Sequence, residues 1–150
     1  MILSGTDKPN KIVVLLLSLL LIGSTVLCFG CGSVETETPT QIIESIGTKA
    51  TYELIQENTG NPDFKIIDVR TPEEYAEGHI ENSVLINISA DDFETEIGQL
   101  DRDGKYLVYC RSGGRSSRAV DIMQELGFLE VYELASGINA WISFGFSVVK

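Results

Sequence analysis

Hydrophobic positions change their spacing in a regular alternation after residue 40. Four short runs rich in β-branched and aromatic residues predict strands at residues 65–69, 84–88, 106–109 and 131–134. Between these runs, apolar residues three and four positions apart, together with capping signals, predict helices. The helices are expected at residues 50–57, from Thr71 onward, from near Ser89 to Leu100, up to a C-cap at Gly127, and at residues 138–142.

The alternation of strands and helices indicates the fold class of residues 41–150. Connections of the strand–helix–strand type favour parallel strands in one sheet. We therefore predict an α/β domain with a mainly parallel central sheet of four to five strands and helices on both faces. Ligands of such sheets bind beyond the carboxyl ends of the strands, so site residues are expected directly after Val69, Ile88, Tyr109 and Leu134.

The first thirty residues follow a different pattern. Lys8 and Lys11 precede a continuous apolar run over residues 12–22, and small residues follow the run. This order predicts a signal peptide over residues 1–30, and the run extends far enough for an uncleaved membrane anchor of about twenty residues. Both lysines lie before the apolar segment, so we expect an extracytoplasmic protein that is attached to the membrane.

A cysteine at the end of this segment indicates one means of attachment. Gly30 and Cys31 resemble a lipoprotein cleavage site, in which the cysteine becomes the lipidated first residue of the mature chain. Cys28 departs from the small or aliphatic residue usual at that position, so the uncleaved anchor stays an alternative. Residues 31–40 are polar and include Pro39, which predicts a linker to the domain at 41–150.

Charge and residue counts exclude several classes of function. With 11 Lys and Arg against 22 Asp and Glu, the formal net charge is −11, which argues against nucleic acid as a partner. Three cysteines and one histidine are too few for a disulfide scaffold or a Cys/His zinc site. Anionic lipid headgroups would repel the acidic surface, so membrane attachment is expected through the N-terminal segment only. We predict a monomeric domain that binds no metal.

The residues after the third predicted strand carry the clearest chemical signal. Cys110 follows that strand, and the loop 111–116 contains two glycines and leads into a helix. Glycines allow successive amides to point at one centre, and a helix N-terminus adds partial positive charge there. Both effects favour a thiolate, so we expect the pKa of Cys110 to fall below its free value of about 8.5. Arg111 and Arg115 could neutralise an anionic substrate.

Several motifs of residues 41–150 together resemble a known family. An apolar strand followed by CRSGGRS, the segment DVRTPEEY, the segment EGHI, and SG before a tryptophan occur in the order of a single-domain rhodanese, a thiosulfate sulfurtransferase. Asn82-Ser83 stands where a Gly-Ala pair is common in the family, and Ser136 stands where a glycine is common. Neither departure lies in the cysteine loop.

The resemblance implies a two-step sulfur transfer without a cofactor or a metal. The Cys110 thiolate attacks the outer sulfur of thiosulfate or a related sulfane donor, and the resulting persulfide passes its sulfur to cyanide or a thiol. The partners implied are therefore small molecules. The substrate and the persulfide would be bound by the loop residues Arg111, Ser112, Gly113, Gly114, Arg115 and Ser116.

Other functions fit parts of the same pattern. Phosphatases and arsenate reductases also place a cysteine and an arginine around a ring of amides, but with one residue more between the two. Cys110 and Arg115 enclose four residues, and this shorter loop suits one sulfur atom better than a tetrahedral oxyanion. A persulfide carrier with little turnover needs the same cysteine as an enzyme, and a buried structural cysteine in a tight turn would do no chemistry.

The end of the first predicted strand offers a polar support for the cysteine loop. Asp68 and Arg70 lie toward the same edge of the predicted sheet as that loop. We expect Asp68 to pair with Arg115 and brace the loop, and Arg70 to bond to a glutamate such as Glu74. His79 has no second histidine beside it and is expected to be a hydrogen-bonded structural residue.

Overall fold

The computed structural model describes residues 40–150, so the predicted signal segment, Cys31 and the rest of the linker up to residue 39 lie outside the described residues. Within this range five strands alternate with five helices. The strands are β1 (Ile42–Ile46), β2 (Phe64–Asp68), β3 (Ser83–Leu85), β4 (Lys105–Tyr109) and β5 (Glu130–Leu134). The helices are α1 (Thr48–Glu57), α2 (Pro72–Glu77), α3 (Phe93–Gly98), α4 (Gly114–Glu125) and α5 (Gly137–Ser143). Among residues 40–150, none of the helices combines the length and the apolar character that crossing a bilayer requires.

The five strands form one parallel sheet in the spatial order β1-β5-β4-β2-β3. The chain leaves β2 toward β3 on one side and leaves β4 toward β5 on the other side. Because β2 and β4 are neighbours, a topological switch point lies between their carboxyl ends, where Asp68 is aligned with Tyr109. The predicted α/β fold is therefore confirmed, and the crevice expected to bind ligands lies between the loops after β2 and β4.

Alternate residues of the central strands bury two apolar layers. On one face Val108 belongs to a cluster with Phe93 of α3 and Met123 of α4. On the other face Leu107 belongs to a cluster with Trp141 of α5, and partly buried residues of α1 pack against this cluster. Helices therefore cover both faces of the sheet, as predicted, and hold the central strand β4 in a buried position.

The strand β1 is absent from the sequence prediction. Among residues 40–150 it lies at an edge of the sheet and pairs with β5 alone, and it leaves Ile42 at 42% exposure. Only Ile43 of this strand packs against the apolar cluster on the α3 and α4 face. An edge strand with so little burial has no strong apolar pattern, which explains why its hydrophobic spacing was not recognised.

The region between β3 and α3 also differs from the prediction. The predicted strand over residues 84–88 is shorter, and α3 begins at Phe93 and not near Ser89. Beyond β3, the amide of Ile86 donates to the Asp68 carbonyl across 2.9 Å, and the amide of Ile88 donates to the Val69 carbonyl across 3.3 Å. The main chain of Ile86 and Ile88 thus stays hydrogen-bonded to the end of β2 without forming a regular strand. The helix α3 therefore begins only at Phe93.

The start of α2 follows the predicted capping box. The Glu74 amide donates to the Thr71 hydroxyl across 3.4 Å, and the Thr71 amide donates to a Glu74 carboxylate oxygen across 3.2 Å. Pro72 occupies the first turn, where a missing N–H costs nothing. This cap fixes the backbone of Glu74 beside the crevice at the switch point.

Candidate active site

Cys110 directly follows β4, at the carboxyl edge of the sheet. Its exposed fraction is 1%, and it belongs to the apolar cluster on the α3 and α4 face. The chain then turns within three residues into α4, which begins at Gly114. The buried thiol therefore lies at the end of the central strand, beside the switch point of the sheet.

Hydrogen-bond donors of the following loop surround the Cys110 sulfur. The Gly113 amide donates to Sγ across 3.2 Å, and the Ser116 hydroxyl lies 3.5 Å from Sγ. Burial by itself raises the pKa of Cys110, but hydrogen bonds from Ser116 and from the amides of Ser112 and Gly113 outweigh it and lower the pKa from its ordinary value. Since the thiolate is the nucleophilic form of cysteine, this loop favours a reactive sulfur.

The first turn of α5 holds the backbone of the cysteine loop. The Ile138 amide donates to the Cys110 carbonyl across 2.9 Å, and the Asn139 amide donates to the Arg111 carbonyl across 3.2 Å. These two bonds orient the carbonyls of Cys110 and Arg111 toward α5. The Ser112 amide, on the other side of the Arg111 peptide, can therefore point toward the sulfur.

Two glycines allow this close approach of the loop to the turn before α5. Gly113 has a φ of +102° and lies so close to the Ala135 carbonyl that a Cβ atom would clash with its oxygen. Gly137 has a φ of +63°, and a Cβ there would clash with the peptide between Arg111 and Ser112. Both positions combine a positive φ with backbone contact, so a side chain fits at neither.

Arg115, on the first turn of α4, pairs with Glu74 of α2. Its Nη1 and Nη2 donate to the two carboxylate oxygens of Glu74 across 2.6 and 2.8 Å. The hydrogen bonds from Arg115 lower the pKa of Glu74 to about 2. The predicted pair between Asp68 and Arg115 is therefore wrong, because the capping box at Thr71 places the Glu74 carboxylate within reach of the guanidinium.

Asp68 instead pairs with Arg70, two residues along the chain. The Arg70 Nε donates to the Asp68 carboxylate across 2.9 Å and Nη2 donates across 2.6 Å, while Nη2 also donates to the Gly78 carbonyl across 2.7 Å. Burial by itself lowers the pKa of Arg70, but bonding and charge from Asp68 outweigh it and raise the pKa. The predicted bond from Arg70 to Glu74 is wrong, because Nε and Nη2 of Arg70 bond to Asp68 and Gly78 and the Glu74 carboxylate bonds to Arg115.

The comparison with protein families decides which class of domain carries this loop. The family model described as rhodanese-like domain matches residues 51–144. The chain belongs to the rhodanese-like domain family.

Named relatives of this rhodanese-like chain agree with that assignment. It is 30% identical over 96 residues to a protein named sulfurtransferase from Allochromatium vinosum, which covers 64% of this chain and 88% of the relative. It is 38% identical over 80 residues to a protein named thiosulfate sulfurtransferase GlpE from Pseudomonas paraeruginosa, which covers 53% of this chain and 70% of the relative. These relatives support a general sulfurtransferase role for this chain.

A solved structure is similar over the same region. The crystal structure of a rhodanese-related protein from Thermoplasma volcanium aligns with a TM-score of 0.61 and 37% identity. The alignment covers 71% of this chain and 97% of that chain. The rhodanese-like fold is therefore shared along almost the whole length of the solved relative.

A cleft of about 500 Å³ lies beside the cysteine loop of this rhodanese-like domain. Arg111 is exposed and lines the cleft, and it makes no ion pair within residues 40–150. The wall of the cleft is completed by polar and apolar side chains on both sides of the switch point: Arg70, Glu74, Glu77, Gly78, Ile138, Asn139, Ile142 and Val148. An unpaired guanidinium is thus available to an anion entering the cleft.

The six predicted loop residues differ in burial. Gly113 and Ser116 are buried against Cys110, Arg115 is partly buried in its pair with Glu74, and Arg111, Ser112 and Gly114 are exposed. The buried Gly113 amide and Ser116 hydroxyl therefore contact the sulfur, while the guanidinium of Arg111 lies at the surface.

One polar residue beside the sulfur was not indicated by the sequence analysis. Glu133 lies within β5 at 7% exposure, and the hydroxyls of Ser45 and Ser116 each donate to its carboxylate across 2.8 Å. A charged residue between the apolar positions Val131 and Leu134 of β5 was the available signal, since buried carboxylates require bonding partners.

The remaining titratable residues form no second chemical centre among those described. The His79 ring stacks on Tyr75 with 3.7 Å between centroids, and its Nδ1 lies 3.1 Å from the Tyr75 carbonyl oxygen. This agrees with the structural role predicted for His79. No group of three or more His, Cys, Asp or Glu side chains within residues 40–150 is arranged to hold a metal ion.

Proposed function

We propose that the chain transfers sulfane sulfur from thiosulfate or a related donor, through a persulfide on Cys110, to cyanide or a thiol acceptor. The observation that carries this proposal is the set of donors around the Cys110 sulfur, which lowers the pKa of the thiol. A ring of amides that stabilises a thiolate also stabilises the anionic outer sulfur of a persulfide.

The first half of the reaction loads the cysteine. The Cys110 thiolate attacks the outer sulfur of thiosulfate, a new S–S bond forms, and the S–S bond of the donor breaks with its electron pair leaving on sulfite. Arg111 supports this step because its unpaired guanidinium on the cleft wall is suited to the sulfonate oxygens.

The second half unloads the cysteine. A cyanide ion or a thiolate attacks the outer sulfur of the persulfide, and the Cys110 thiolate leaves as the S–S bond breaks. The donors from Gly113 and Ser116 stabilise this leaving group as they stabilise the resting thiolate. The same loop therefore serves both halves of the reaction.

The decisive experiment removes the nucleophile. We expect Cys110→Ser to abolish sulfur transfer to cyanide and to keep the melting temperature of the parent chain, because serine is smaller and retains a hydrogen-bonding atom. The measurements are thiocyanate formation and thermal unfolding. Transfer that survives in a folded Cys110→Ser protein would remove the proposal.

The cation on the cleft wall gives a more specific test. Losing a charge-assisted hydrogen bond costs about 1.5–3 kcal/mol, so Arg111→Ala is expected to lower kcat/KM for thiosulfate by roughly ten- to a hundredfold. Arg118→Ala is the matched control. Arg118, which lies on α4, is exposed like Arg111 but lines a different pocket. Equal losses in both variants would contradict a binding role for Arg111.

Two alternatives are separated by the same assays. A persulfide carrier would gain the mass of one sulfur atom on Cys110 after incubation with thiosulfate but would show little steady-state transfer. A phosphatase would hydrolyse an aryl phosphate without turning over thiosulfate. The four residues between Cys110 and Arg115 support the sulfur-transfer reading over the phosphatase.

We also propose that the domain acts as a monomer outside the cytoplasm, attached to the membrane through residues 1–30 or through a lipid on Cys31. The support is the order of charged, apolar and small residues in that segment. Cell fractionation with mass measurement of the purified chain tests both forms. Recovery of the protein in the cytosolic fraction would contradict the attachment.

A further inference from the structure

Glu133 is a buried carboxylate without a cationic partner in the described part of the chain. Its residue exposure is 7%, and no Lys, Arg or His nitrogen of residues 40–150 forms an ion pair with it. Its bonding partners are two hydroxyls, from Ser45 on β1 and Ser116 on α4. Burying a carboxylate without a cationic partner is costly, so a purely structural role accounts poorly for its presence near the carboxyl end of β5.

The Ser116 hydroxyl connects this carboxylate to the reactive sulfur. Its Oγ lies 2.8 Å from a Glu133 carboxylate oxygen, 2.8 Å from the Gly113 carbonyl oxygen and 3.5 Å from the Cys110 Sγ. A hydroxyl has one hydrogen to donate and two lone pairs that accept. The position of the Ser116 hydrogen therefore depends on which of its neighbours carries the negative charge.

We infer that Glu133 accepts the proton of the Cys110 thiol through Ser116. Before transfer, the thiol S–H faces the Ser116 oxygen and the Ser116 O–H faces the Glu133 carboxylate. In the transfer, the thiol proton passes to the Ser116 oxygen while the Ser116 hydrogen passes to the carboxylate. The products are a Cys110 thiolate, an intact Ser116 hydroxyl and a neutral Glu133 carboxyl.

Charge explains why the two buried groups share one proton and do not both ionise. An ionised Glu133 together with a Cys110 thiolate would bury two negative charges on either side of one hydroxyl. The relay keeps one negative charge in the site at every stage, and each polar atom keeps a hydrogen-bond partner. Glu133 contacts Ser116 and not the sulfur, so it is a positioning residue that acts through Ser116.

The other charged groups on the surrounding elements either bond to one another or are exposed to solvent. Arg115 on α4 and Glu74 on α2 bond to each other, and Arg70 and Asp68 at the end of β2 bond to each other. Glu44 on β1 and Arg111 in the loop are exposed. On the strands beside Glu133, Lys105 pairs with Glu130, and Tyr132 also bonds to Glu130.

The experiment measures the alkylation rate of Cys110 by iodoacetamide as a function of pH in the full chain, with Cys28 and Cys31 changed to Ser so that one thiol reacts. Two coupled groups that share a proton titrate in two macroscopic steps. We therefore expect the rate to rise in two steps with a plateau between them. The assay needs no sulfur donor, so it tests the relay independently of the proposed sulfurtransferase activity, on which the inference depends only for the role of Cys110.

Variants assign the two steps. Glu133→Gln and Ser116→Ala are each expected to lose the plateau and to show one ionisation step, because each breaks the relay at a different atom. Glu130→Gln, on the same strand but paired with Lys105, is the matched control and is expected to retain both steps. Thermal unfolding of each variant reports its stability separately.

The outcomes are distinct. A structural role for Glu133 would lower the melting temperature of Glu133→Gln and leave both steps in its alkylation profile, which would overturn the inference. A single step in the parent chain would also overturn it. Should Glu133→Gln fail to fold, Ser116→Ala alone decides, since its loss of the plateau supports the relay and its retention contradicts it.

Discussion

Two arginine–carboxylate pairs lie beside the cysteine loop, and they differ most in burial. The side chains of Asp68 and Arg70 expose 0% and 6%, whereas those of Glu74 and Arg115 expose 23% and 28%. Their geometry is otherwise similar, because the shortest nitrogen–oxygen distance is 2.6 Å in each pair. Similar contacts in different solvent environments have different energetic consequences, so geometry alone does not reveal what each pair contributes.

The buried pair stabilises the framework of the crevice. Arg70 joins the end of β2 to the Gly78 carbonyl after α2, and Asp68 also accepts a hydrogen bond from the Arg70 amide across 3.0 Å. The half-buried pair joins α2 to α4, which carries the loop donors. Glu74 is the largest cause of the raised pKa of Arg115, and the negative charge at Cys110 raises it further. This second pair therefore bears on the sulfur and less on the fold.

The largest effect is expected from neutralising the buried carboxylate. Asp68→Asn keeps the shape of the side chain but leaves the Arg70 charge buried without a counterion, which costs about 3–5 kcal/mol of unfolding free energy. Urea unfolding at neutral pH measures this loss. A loss below about 1 kcal/mol, the range of exposed pairs, would show that the two pairs are energetically alike.

A smaller effect is expected from the equivalent change in the half-buried pair. Glu74→Gln keeps the capping box with Thr71, since glutamine also serves there, but removes the charge opposite Arg115. Both side chains remain about a quarter exposed, so solvent screens the pair and its contribution is smaller than the lowered pKa of Glu74 alone implies. We therefore expect a loss of about 1 kcal/mol in the same unfolding assay. A loss as large as that of Asp68→Asn would reverse the proposed division between framework and sulfur.

The smallest effect is expected on the stability of the folded chain at acidic pH. The pKa of Glu74 is lowered to about 2 in the folded chain, whereas an unfolded glutamate has a pKa of about 4.3. A carboxyl with a lowered folded pKa contributes stability that is present above about pH 4.3 and is lost as the pH falls toward about 2. The stability difference between the parent chain and Glu74→Gln is therefore expected to shrink across this interval. A difference that stays constant there would contradict the strength of the bond to Arg115.

Backbone patterns were largely predictable from the sequence because they depend on neighbours in the chain. The capping box at Thr71, the buried strand before Cys110 and the glycine after α4 all act over five residues or fewer. The strand β1 was missed because the strand it pairs with, β5, lies far along the sequence, and because its position leaves Ile42 exposed.

Side-chain partners were less predictable. The sequence places four charged residues near the loop, but it predicts the pairs Asp68–Arg115 and Arg70–Glu74. The structure instead pairs Asp68 with Arg70 and Glu74 with Arg115. The choice depends on distances of a few ångströms between elements, which sequence spacing does not contain. Glu133 was missed for the same reason, since its link to Cys110 passes through a hydroxyl on another element.

The contact between Gly113 and Gly137 and their opposing backbones has a practical consequence for engineering. Each glycine meets main-chain atoms, of Ala135 in one case and of Arg111 and Ser112 in the other, so no neighbouring rotamer change can make room for a side chain. Mutant libraries that vary the cleft beside the cysteine loop therefore need to hold both positions constant. Substitutions are better placed at Asn139, Ile142 and Val148, which line the cleft.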